Sequence, residues 1–239
     1  LSTLSRQRSY QEEDQWDPRQ AKPLHIELAE WADFIVVAPL SASSLSRWVN
    51  GLSEGLAASS ILASERPVIA AAAMNTGMWK NEAIQNNWEK LKKYKNVTAL
   101  SPTYGLLACD RIGDGKMASL HLIELAIESA CINYQKNSSP LNDWEGIKLL
   151  ITAGATIEDI DSTRYISNRS TGLMGLLLAQ AARFRGARVD FVHSPLKIEH
   201  ELLEGLNIFE IRSSHDMEEV LEKLHSSADV IAMTAAIAD

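Results

Sequence analysis

Three residues with chemically useful side chains stand where predicted strands end or predicted helices begin. His25 opens a helical pattern at residues 25–32, Asn75 follows a strand of small residues at 67–73, and Cys109 lies in a glycine-rich stretch. An imidazole or a thiol can move a proton near neutral pH, and an amide can bind a carboxylate. Because open α/β sheets bind ligands at the carboxyl ends of their strands, this pattern predicts a site there.

Each of these residues also has a structural role open to it. Asn75 is a residue type that favours a helix N-cap, His25 can be a surface histidine at a helix start, and Cys109 can be a buried, inert thiol. The hydroxyl-rich stretch PLSASSLS at residues 39–46 is equally ambiguous. Its serines can cap a helix, or they can offer donors to an anion or to the polar edge of a ring.

The second half of the chain holds a weaker phosphate-binding signal. Gly154 follows a buried strand predicted at 147–152, and a glycine turn there lets the backbone approach a phosphate. Asn168 and Ser170 precede a helix that starts near Gly172, so capping explains them as well as chemistry does. Ser213 and Asp216 have the spacing of a capping box.

Composition narrows the function to small-molecule chemistry. The 239 residues are 46% hydrophobic and carry a formal net charge of -8, which argues against a nucleic-acid surface or an anionic-membrane patch. No apolar stretch approaches the roughly 18 to 20 residues that span a bilayer. The two cysteines, Cys109 and Cys131, cannot build a disulfide framework, so we expect a reducing cytoplasm and no protein-bound metal.

The elements that would position these residues alternate between strand and helix. This alternation predicts an α/β fold with parallel, doubly wound sheets in both halves. We expect residues 1–22 to form a polar loop, 78–91 one helix, 101–119 an irregular lid, and 120–134 a helix that closes the first half. The stretch 133–146 loses all periodicity, which gives a first domain at 1–136, a linker at 137–146 and a second domain at 147–239.

Seven separated motifs together resemble one family, the bifunctional phosphopantothenoylcysteine decarboxylase and phosphopantothenate–cysteine ligase of coenzyme A biosynthesis. In the first half they are HIELAEWAD, VAPLSAS, AAAMNTGMW and GLLACDRIGDGKM, and in the second they are TAGAT, TRYISNRSTGLMG and TAAIAD. The resemblance runs from residue 25 to residue 239 with the domain order intact.

For the first domain, the resemblance implies a flavodoxin-like flavoprotein that binds FMN. In the family, FMN oxidises the cysteine thiol of the substrate to a thioaldehyde, carbon dioxide leaves, and the reduced flavin returns the hydride. The resemblance makes His25 an active-site base, Asn75 the residue that binds the substrate carboxylate and Cys109 the final proton donor. It places Ser41, Ala42, Ser44 and Met74 at the flavin.

For the second domain, the resemblance implies a Rossmann-like α/β fold and a CTP-dependent ligase. CTP, with Mg²⁺, activates 4'-phosphopantothenate as an acyl-cytidylate, and cysteine then displaces CMP. Asn168 matches a residue used for the acyl intermediate, and Arg164 matches one needed for the cysteine step. The nucleotide-contacting positions are Gly154, Met233, Thr234, Ala235 and Asp239. Trimeric decarboxylase domains with sites between subunits and dimeric ligase domains follow from the same resemblance.

The chain also departs from the family pattern. Ala155 stands where proline is usual, Leu173 where a basic residue is common, and Ser43 where asparagine is common. We expect the family's first strand and glycine-rich phosphate turn to precede Leu1, and the lysine-bearing loop of the ligase to follow Asp239. The chain is therefore expected to be an internal fragment that cannot complete ligation.

Two other functions stay open. One is a non-catalytic regulatory subunit of the same flavoprotein superfamily, although such a binding module would not need His25, Asn75 and Cys109 together. The other is a flavin-dependent decarboxylase of a different peptidyl-cysteine substrate. Replacing Cys109 with serine separates catalysis from scaffolding, because an enzyme should stall at the ene-thiol stage and a scaffold should lose nothing.

Overall fold

The structure is a computed structural model that describes residues 2–16, 22–107, 111–135, 143–196 and 200–238. It forms two compact units, Leu1–Ala118 and Ser119–Asp239. The predicted α/β fold with parallel sheets is confirmed in both units. The finer assignments, flavodoxin-like and Rossmann-like, stay predictions.

The first unit is built on a three-stranded parallel sheet. Its strands are β1 (Ile35–Leu40), β2 (Val68–Ala72) and β3 (Val97–Leu100), in that spatial order. The central strand β2 is buried along its whole length, and its small side chains let helices pack closely on it. The helices of this unit are α1 (Ser2–Ser5), α2 (Leu24–Trp31), α3 (Ala42–Val49), α4 (Leu56–Ala63), α5 (Thr76–Trp79) and α6 (Glu82–Leu91).

Three predictions for the first unit are wrong in detail. The stretch 101–119 is not irregular, because β4 (Thr103–Leu106) and β5 (Ile112–Lys116) pair as an antiparallel hairpin. The single helix predicted at 78–91 is two helices, since Asn81 caps a new start at α6. The polar stretch 1–22 contains α1 and a 3-10 turn, Glu12–Trp16.

The second unit is built on a four-stranded parallel sheet. Its strands are β6 (Lys148–Ala153), β9 (Arg188–His193), β10 (Asn207–Glu210) and β11 (Val230–Met233), in the spatial order β10-β9-β6-β11. A short antiparallel hairpin that the sequence pattern did not predict, β7 (Ile157–Asp159) and β8 (Tyr165–Ser167), follows β6. The helices are α7 (Leu120–Gln135), α8 (Leu173–Phe184) and α9 (Ser214–Leu224), with 3-10 turns at His200–Leu203 and His225–Ser227.

Helices cover both faces of this second sheet. Leu150 and Val192 form a buried cluster with Met217 of α9. Ala153, which alternation places on the opposite face of β6 from Leu150, lies against the start of α8. The capping box predicted at the start of α9 is present, because Ser213 and Asp216 each accept a hydrogen bond from the backbone of the other.

The division into units falls between Ala118 and Ser119, whereas the sequence pattern predicts a linker at 137–146. The difference arises because α7 packs against α8 and therefore groups with the second unit. Most of the predicted linker lies outside the described residues.

Candidate functional site

The first candidate site is a crevice at the carboxyl ends of β1 and β2. It has a volume of about 370 Å³. One wall is formed by the strand ends and the other by the β4–β5 hairpin, and the lining residues are Pro39, Ala73, Met74, Asn75, Leu106, Leu107, Gly115, Lys116 and Met117. Two of the predicted site residues, Met74 and Asn75, therefore line the same cavity.

The hairpin is held on the strand ends by close backbone contacts. The Met74 amide donates to the Gly115 carbonyl at 3.0 Å. Gly115 has a φ of +136°, and a Cβ there would lie 2.0 Å from the Met74 carbonyl oxygen. The Lys80 ammonium and the Asp114 carboxylate add an ion pair at 2.9 Å. Glycine at 115 is thus what allows the hairpin to approach.

Asn75 is also the N-cap of α5, as the structural alternative predicted. Its side-chain oxygen accepts a hydrogen bond from the Gly77 amide at 2.8 Å. The same side chain lines the crevice, so Asn75 is both a helix cap and part of the cavity wall.

The serine turn after β1 likewise caps a helix. Ser41 accepts from the Ser44 amide at 3.2 Å and donates to the Ser44 hydroxyl at 3.0 Å. Ala42 is buried in this unit, with 5% of its surface exposed, whereas Ser44 is exposed. Ser44 therefore offers its hydroxyl to the surroundings, and Ala42 contributes packing.

His25 lies in the first turn of α2 and lines a separate cavity of about 720 Å³. The walls of this cavity, which we call the His25 cavity, also include Glu12, Trp16, Gly55 and Ser59. The Nδ1 atom of His25 is buried and has no hydrogen-bond partner within the part of the chain that the structure describes. The structure therefore places His25 and Asn75 on the linings of two different cavities of one chain.

Cys109 and Asp239 lie outside the described residues. On either side of the cysteine, the Leu107 amide donates to the Arg111 carbonyl at 2.8 Å, which continues the pairing of the hairpin. In sequence, Cys109 falls between β4 and β5.

The second candidate site is at the carboxyl ends of β6 and β11. Gly154 has a φ of +86°, and its carbonyl accepts from the Ala236 amide at 2.8 Å. The Thr234 hydroxyl donates to the Thr152 carbonyl, and the Ala235 amide donates to the Thr152 hydroxyl at 3.3 Å. Gly154, Thr234 and Ala235 are thus brought together, and Met233 beside them is exposed.

The N-terminus of α8 meets these strand ends. Gly172 is its N-cap, with a φ of +78°, and a Cβ there would lie 3.0 Å from the Gly154 amide nitrogen. A Cβ on Gly175 would lie 2.3 Å from the Thr234 hydroxyl oxygen. Two glycines therefore let the positive end of the α8 dipole approach the ends of β6 and β11, an arrangement that favours anions.

Asn168 joins this second group, but Arg164 is engaged elsewhere. The Asn168 amide nitrogen donates to the Ile237 carbonyl at 2.9 Å, so the residue contacts the segment after β11 and does not cap α8. Arg164 lies between β7 and β8, and its Nε donates to the Asp161 carboxylate at 2.7 Å. Hydrogen bonds from the Arg164 side chain and from Thr163 lower the pKa of Asp161 to about 2.

Sequence reasoning missed two polar features. His193 and Ser194 are buried at the end of β9, and none of the described residues forms a hydrogen bond with the His193 Nε2 or Ser194 Oγ atom. Ser194 lies directly over Gly154, because a Cβ on that glycine would be 2.3 Å from the serine Oγ. In the first unit, the Glu12 carboxylate accepts from the Leu56 amide at 2.6 Å. No local pattern pointed to Glu12, since the two residues are 44 positions apart.

The described residues contain neither a membrane-spanning helix nor a metal-binding cluster. No helix there combines the length and apolar character needed to cross a membrane. Within the same residues, no three His, Cys, Asp or Glu side chains are grouped so that they could hold a metal ion.

Curated relatives match almost the whole chain. The coenzyme A biosynthesis bifunctional protein CoaBC of Bacillus subtilis (strain 168) is 35% identical over 217 residues, covering 90% of this chain and 51% of the relative. The CoaBC protein of Escherichia coli (strain K12) is 37% identical over 175 residues, covering 73% of this chain and 41% of the relative. A cysteine/cysteine sulfinic acid decarboxylase from an unknown prokaryotic organism is 33% identical, covering 95% of this chain and 62% of the relative. The chain spans about half the length of the CoaBC relatives it matches.

A solved structure and two family models also match. The structure, a PPC decarboxylase mutant complexed with pantothenoylaminoethenethiol, is 33% identical and covers 53% of this chain and 70% of that chain, with a TM-score of 0.46. Residues 144–239 match the DNA/pantothenate metabolism flavoprotein C-terminal domain. Residues 2–130, more than half of the chain, match the Flavoprotein family model. The chain therefore belongs to the Flavoprotein family.

Proposed function

We propose that the first half of this chain carries out FMN-dependent decarboxylation of 4'-phosphopantothenoylcysteine to 4'-phosphopantetheine in coenzyme A biosynthesis. The observation that carries the proposal is the crevice lined by Met74 and Asn75, with the β4–β5 hairpin as the other wall. The CoaBC relatives and the Flavoprotein match support the same reaction class.

The residues of this crevice fit part of a flavin. A volume of about 370 Å³ lies within the range of roughly 300 to 1,000 Å³ typical of ligand sites. The lining is mainly apolar, which suits a flat ring, and Ser41, Ala42 and Ser44 follow directly after β1. When bound, FMN would supply the electron sink that the reaction needs, by taking a hydride from the cysteinyl group and later returning it.

The side chains of this chain would supply binding and proton transfer. Asn75 would orient the substrate carboxylate through its amide, and His25 would hold a proton early in the reaction. Cys109 would deliver the last proton, because the pKa of a thiol lies near enough to neutral for the group to release and recover a proton. The assignment of Cys109 rests on its motif.

We further propose that the site is shared between copies of the chain. His25 and Asn75 line different cavities of one chain, so a reaction that needs both would draw them from two subunits. A trimer of first domains, residues 1–136, follows from the family resemblance, as does pairing of the second domains, residues 147–239, as dimers.

For the second half we propose the nucleotide side of a CTP-dependent phosphopantothenate–cysteine ligase site. The support is the close approach of Gly154 and Thr234 to the N-terminus of α8, an arrangement that suits phosphates accompanied by Mg²⁺. Asn168 would act on the acyl intermediate, and Arg164 would serve the cysteine step after leaving Asp161. Met233 and Asp239 complete the nucleotide positions. A cytoplasmic location stays a prediction.

A second candidate function has one observation in its favour. The relative named cysteine/cysteine sulfinic acid decarboxylase matches 95% of this chain. A smaller cysteine-derived substrate would use the same Asn75 crevice. The regulatory-subunit alternative predicts no turnover of either substrate class.

The deciding experiment measures flavin binding first and substrate choice second. We expect the chain to retain stoichiometric FMN, seen in its visible absorbance after desalting. It should then release carbon dioxide from 4'-phosphopantothenoylcysteine at least about tenfold faster than from cysteine or cysteine sulfinic acid. Flavin retention without turnover would favour the regulatory subunit, and a reversed substrate preference would favour the second candidate. For the proposed enzyme, Cys109→Ser should accumulate the ene-thiol.

A further inference from the structure

We propose that Glu12 is a positioning residue for His25, acting through a hydrogen bond to the first turn of α4. This inference rests on the proposed function, since it gives His25 a role in the reaction. Glu12 has no place in the motifs that suggested the function.

The hydrogen bond supplies a cap that α4 lacks locally. The N-cap residue of α4 is Gly55, which has no side chain to accept from the first helical amides. The Glu12 carboxylate fills that role from the 3-10 turn Glu12–Trp16, with its Oε2 atom 2.6 Å from the Leu56 amide nitrogen. A carboxylate is favoured there because of the positive end of the helix dipole.

The fit is tight enough to require glycine at position 55. Gly55 has a φ of +91°, and a Cβ at that position would lie 2.7 Å and 2.9 Å from the two Glu12 carboxylate oxygens. Any other residue would push the carboxylate away from the helix. Gly55 thus leaves space for a side chain from a distant part of the chain.

The turn that carries Glu12 is braced on its own. The Asp14 carboxylate accepts from the Gln11 amide at 2.7 Å, and the Asp14 amide donates to the Gln11 carbonyl at 3.1 Å. Asp14 therefore stabilises the turn internally. The Glu12 carboxylate instead accepts a hydrogen bond from α4 and so connects the turn to that helix. The turn also packs against α2, the helix that carries His25 in its first turn.

His25 depends on these walls for its orientation. A histidine that moves a proton is commonly oriented by a hydrogen bond at its second ring nitrogen. The Nδ1 atom of His25 is buried without any such partner among the described residues, so packing in the His25 cavity orients the ring. Glu12, Trp16, Gly55 and Ser59 all line that cavity. Loss of the hydrogen bond between Leu56 and Glu12 would let this wall of the His25 cavity move, and the environment of the His25 ring would change.

The test compares Glu12→Ala with Glu12→Gln, which keeps an oxygen able to accept from Leu56, and with Glu13→Ala, which removes the neighbouring exposed carboxylate. We would record the ring ¹⁵N shifts of His25 by NMR in the full chain, and kcat and KM for 4'-phosphopantothenoylcysteine with saturating FMN. For Glu12→Ala we expect shifted His25 signals and a kcat about tenfold lower, with KM changed by less than about threefold. Glu12→Gln and Glu13→Ala should resemble the parent chain.

The two readouts separate the two proposals. Unchanged His25 signals in a folded Glu12→Ala variant would overturn the positioning role. An equal loss of activity in Glu12→Gln would also overturn it, because charge and not the hydrogen bond would then matter. If the parent chain does not decarboxylate, the proposed function fails, while the NMR comparison still decides whether Glu12 sets the environment of His25. If Glu12→Ala does not fold, the Glu12→Gln and Glu13→Ala pair carries the comparison, and a loss of kcat in Glu12→Gln contradicts the proposal.

Discussion

Among single residues, Asn75 is a helix cap and, in the proposed function, also the residue that binds the substrate carboxylate. Its oxygen accepts from the Gly77 amide, and its side chain lines the crevice. A conservative change can separate these roles, because aspartate caps a helix about as well as asparagine but repels a carboxylate.

We predict that Asn75→Asp leaves the free energy of unfolding within about 0.5 kcal/mol and lowers kcat/KM for decarboxylation by about 100-fold. The physical reason is the like charge placed beside the substrate carboxylate. Asn81→Asp is the matched control, since Asn81 caps α6 by accepting from the Ala83 amide at 3.0 Å. Equal activity losses in the two variants would remove Asn75 from the site.

Asp161 and Arg164 form an exposed ion pair between β7 and β8. The Arg164 side chain is the first cause of the low pKa of Asp161, which is about 2 compared with an ordinary value of 3.8. Because the folded pKa is depressed, the favourable interaction is present above the ordinary pKa and is lost as pH falls towards 2.

Arg164→Gln should therefore raise the pKa of Asp161 towards 3.8. The carboxylate would then become protonated at a higher pH than in the parent chain. A ¹³C NMR titration of the carboxyl carbons measures this directly. The Asp216 carboxyl is the internal reference, because its lowered pKa comes mainly from hydrogen bonds with Ser213 and should not move. If the pKa of Asp161 stays near 2, the backbone turn and not Arg164 holds the carboxylate ionised.

At the scale of elements, glycines decide how closely the turns and hairpins approach their neighbours. Gly154 and Gly146 have nearly equal φ values, +86° and +88°, but differ in their surroundings. A Cβ on Gly154 would meet the Ser194 Oγ at 2.3 Å, whereas one on Gly146 would meet nothing within 4 Å.

We predict that Gly146→Ala costs about 1 kcal/mol of stability from backbone strain alone, and that Gly154→Ala costs about 1 to 3 kcal/mol more. Urea unfolding of the two variants measures the free energy of unfolding of each. The difference between their losses gives the cost of steric crowding between the ends of β6 and β9. Equal costs would mean that Ser194 moves away freely and that the turn is not tightly packed.

The β4–β5 hairpin offers a second matched pair. Gly115→Ala would place a Cβ 2.0 Å from the Met74 carbonyl oxygen, whereas at Gly105 the nearest atom is the Lys116 Cδ, 2.7 Å away on a flexible side chain. We expect Gly115→Ala to lower decarboxylation at least about tenfold and to weaken FMN retention, because the hairpin must lift from the crevice. Gly105→Ala should stay within about twofold. Full activity in Gly115→Ala would show that the hairpin is not part of the site.

At the scale of the whole molecule, the shared site can be tested by mixing inactive chains. His25→Ala and Asn75→Ala should each be inactive alone. Co-expressed as mixed oligomers, they should recover up to roughly a quarter of the parent activity. The reason is that some sites then receive His25 from an Asn75→Ala chain and Asn75 from a His25→Ala chain. The rate of carbon dioxide release by the purified mixture measures this. No recovery in oligomers shown to be mixed would place both residues of a site in one subunit.

Sequence alone determined the features that depend on local pattern. The alternation of strands and helices predicted parallel sheets in both halves, and the bounds of β2 and the position of the Ser213 capping box were predicted closely. Joint motifs indicated the family and the Asn75 crevice, because residues after successive parallel strands meet at one sheet edge. The caps at Ser41 and Asn75 were foreseen as alternatives, since residue type and position are enough to favour them.

Only the tertiary structure decided contacts between residues far apart in the chain. The stretch 101–119 became a hairpin because it packs on Met74 and Thr76, and α7 joined the second unit because it packs on α8. The separate cavities of His25 and Asn75, the cap from Glu12 to Leu56 and the close approach of Ser194 to Gly154 follow no sequence period. Such contacts depend on how buried faces fit together, and local propensity carries no record of that fit.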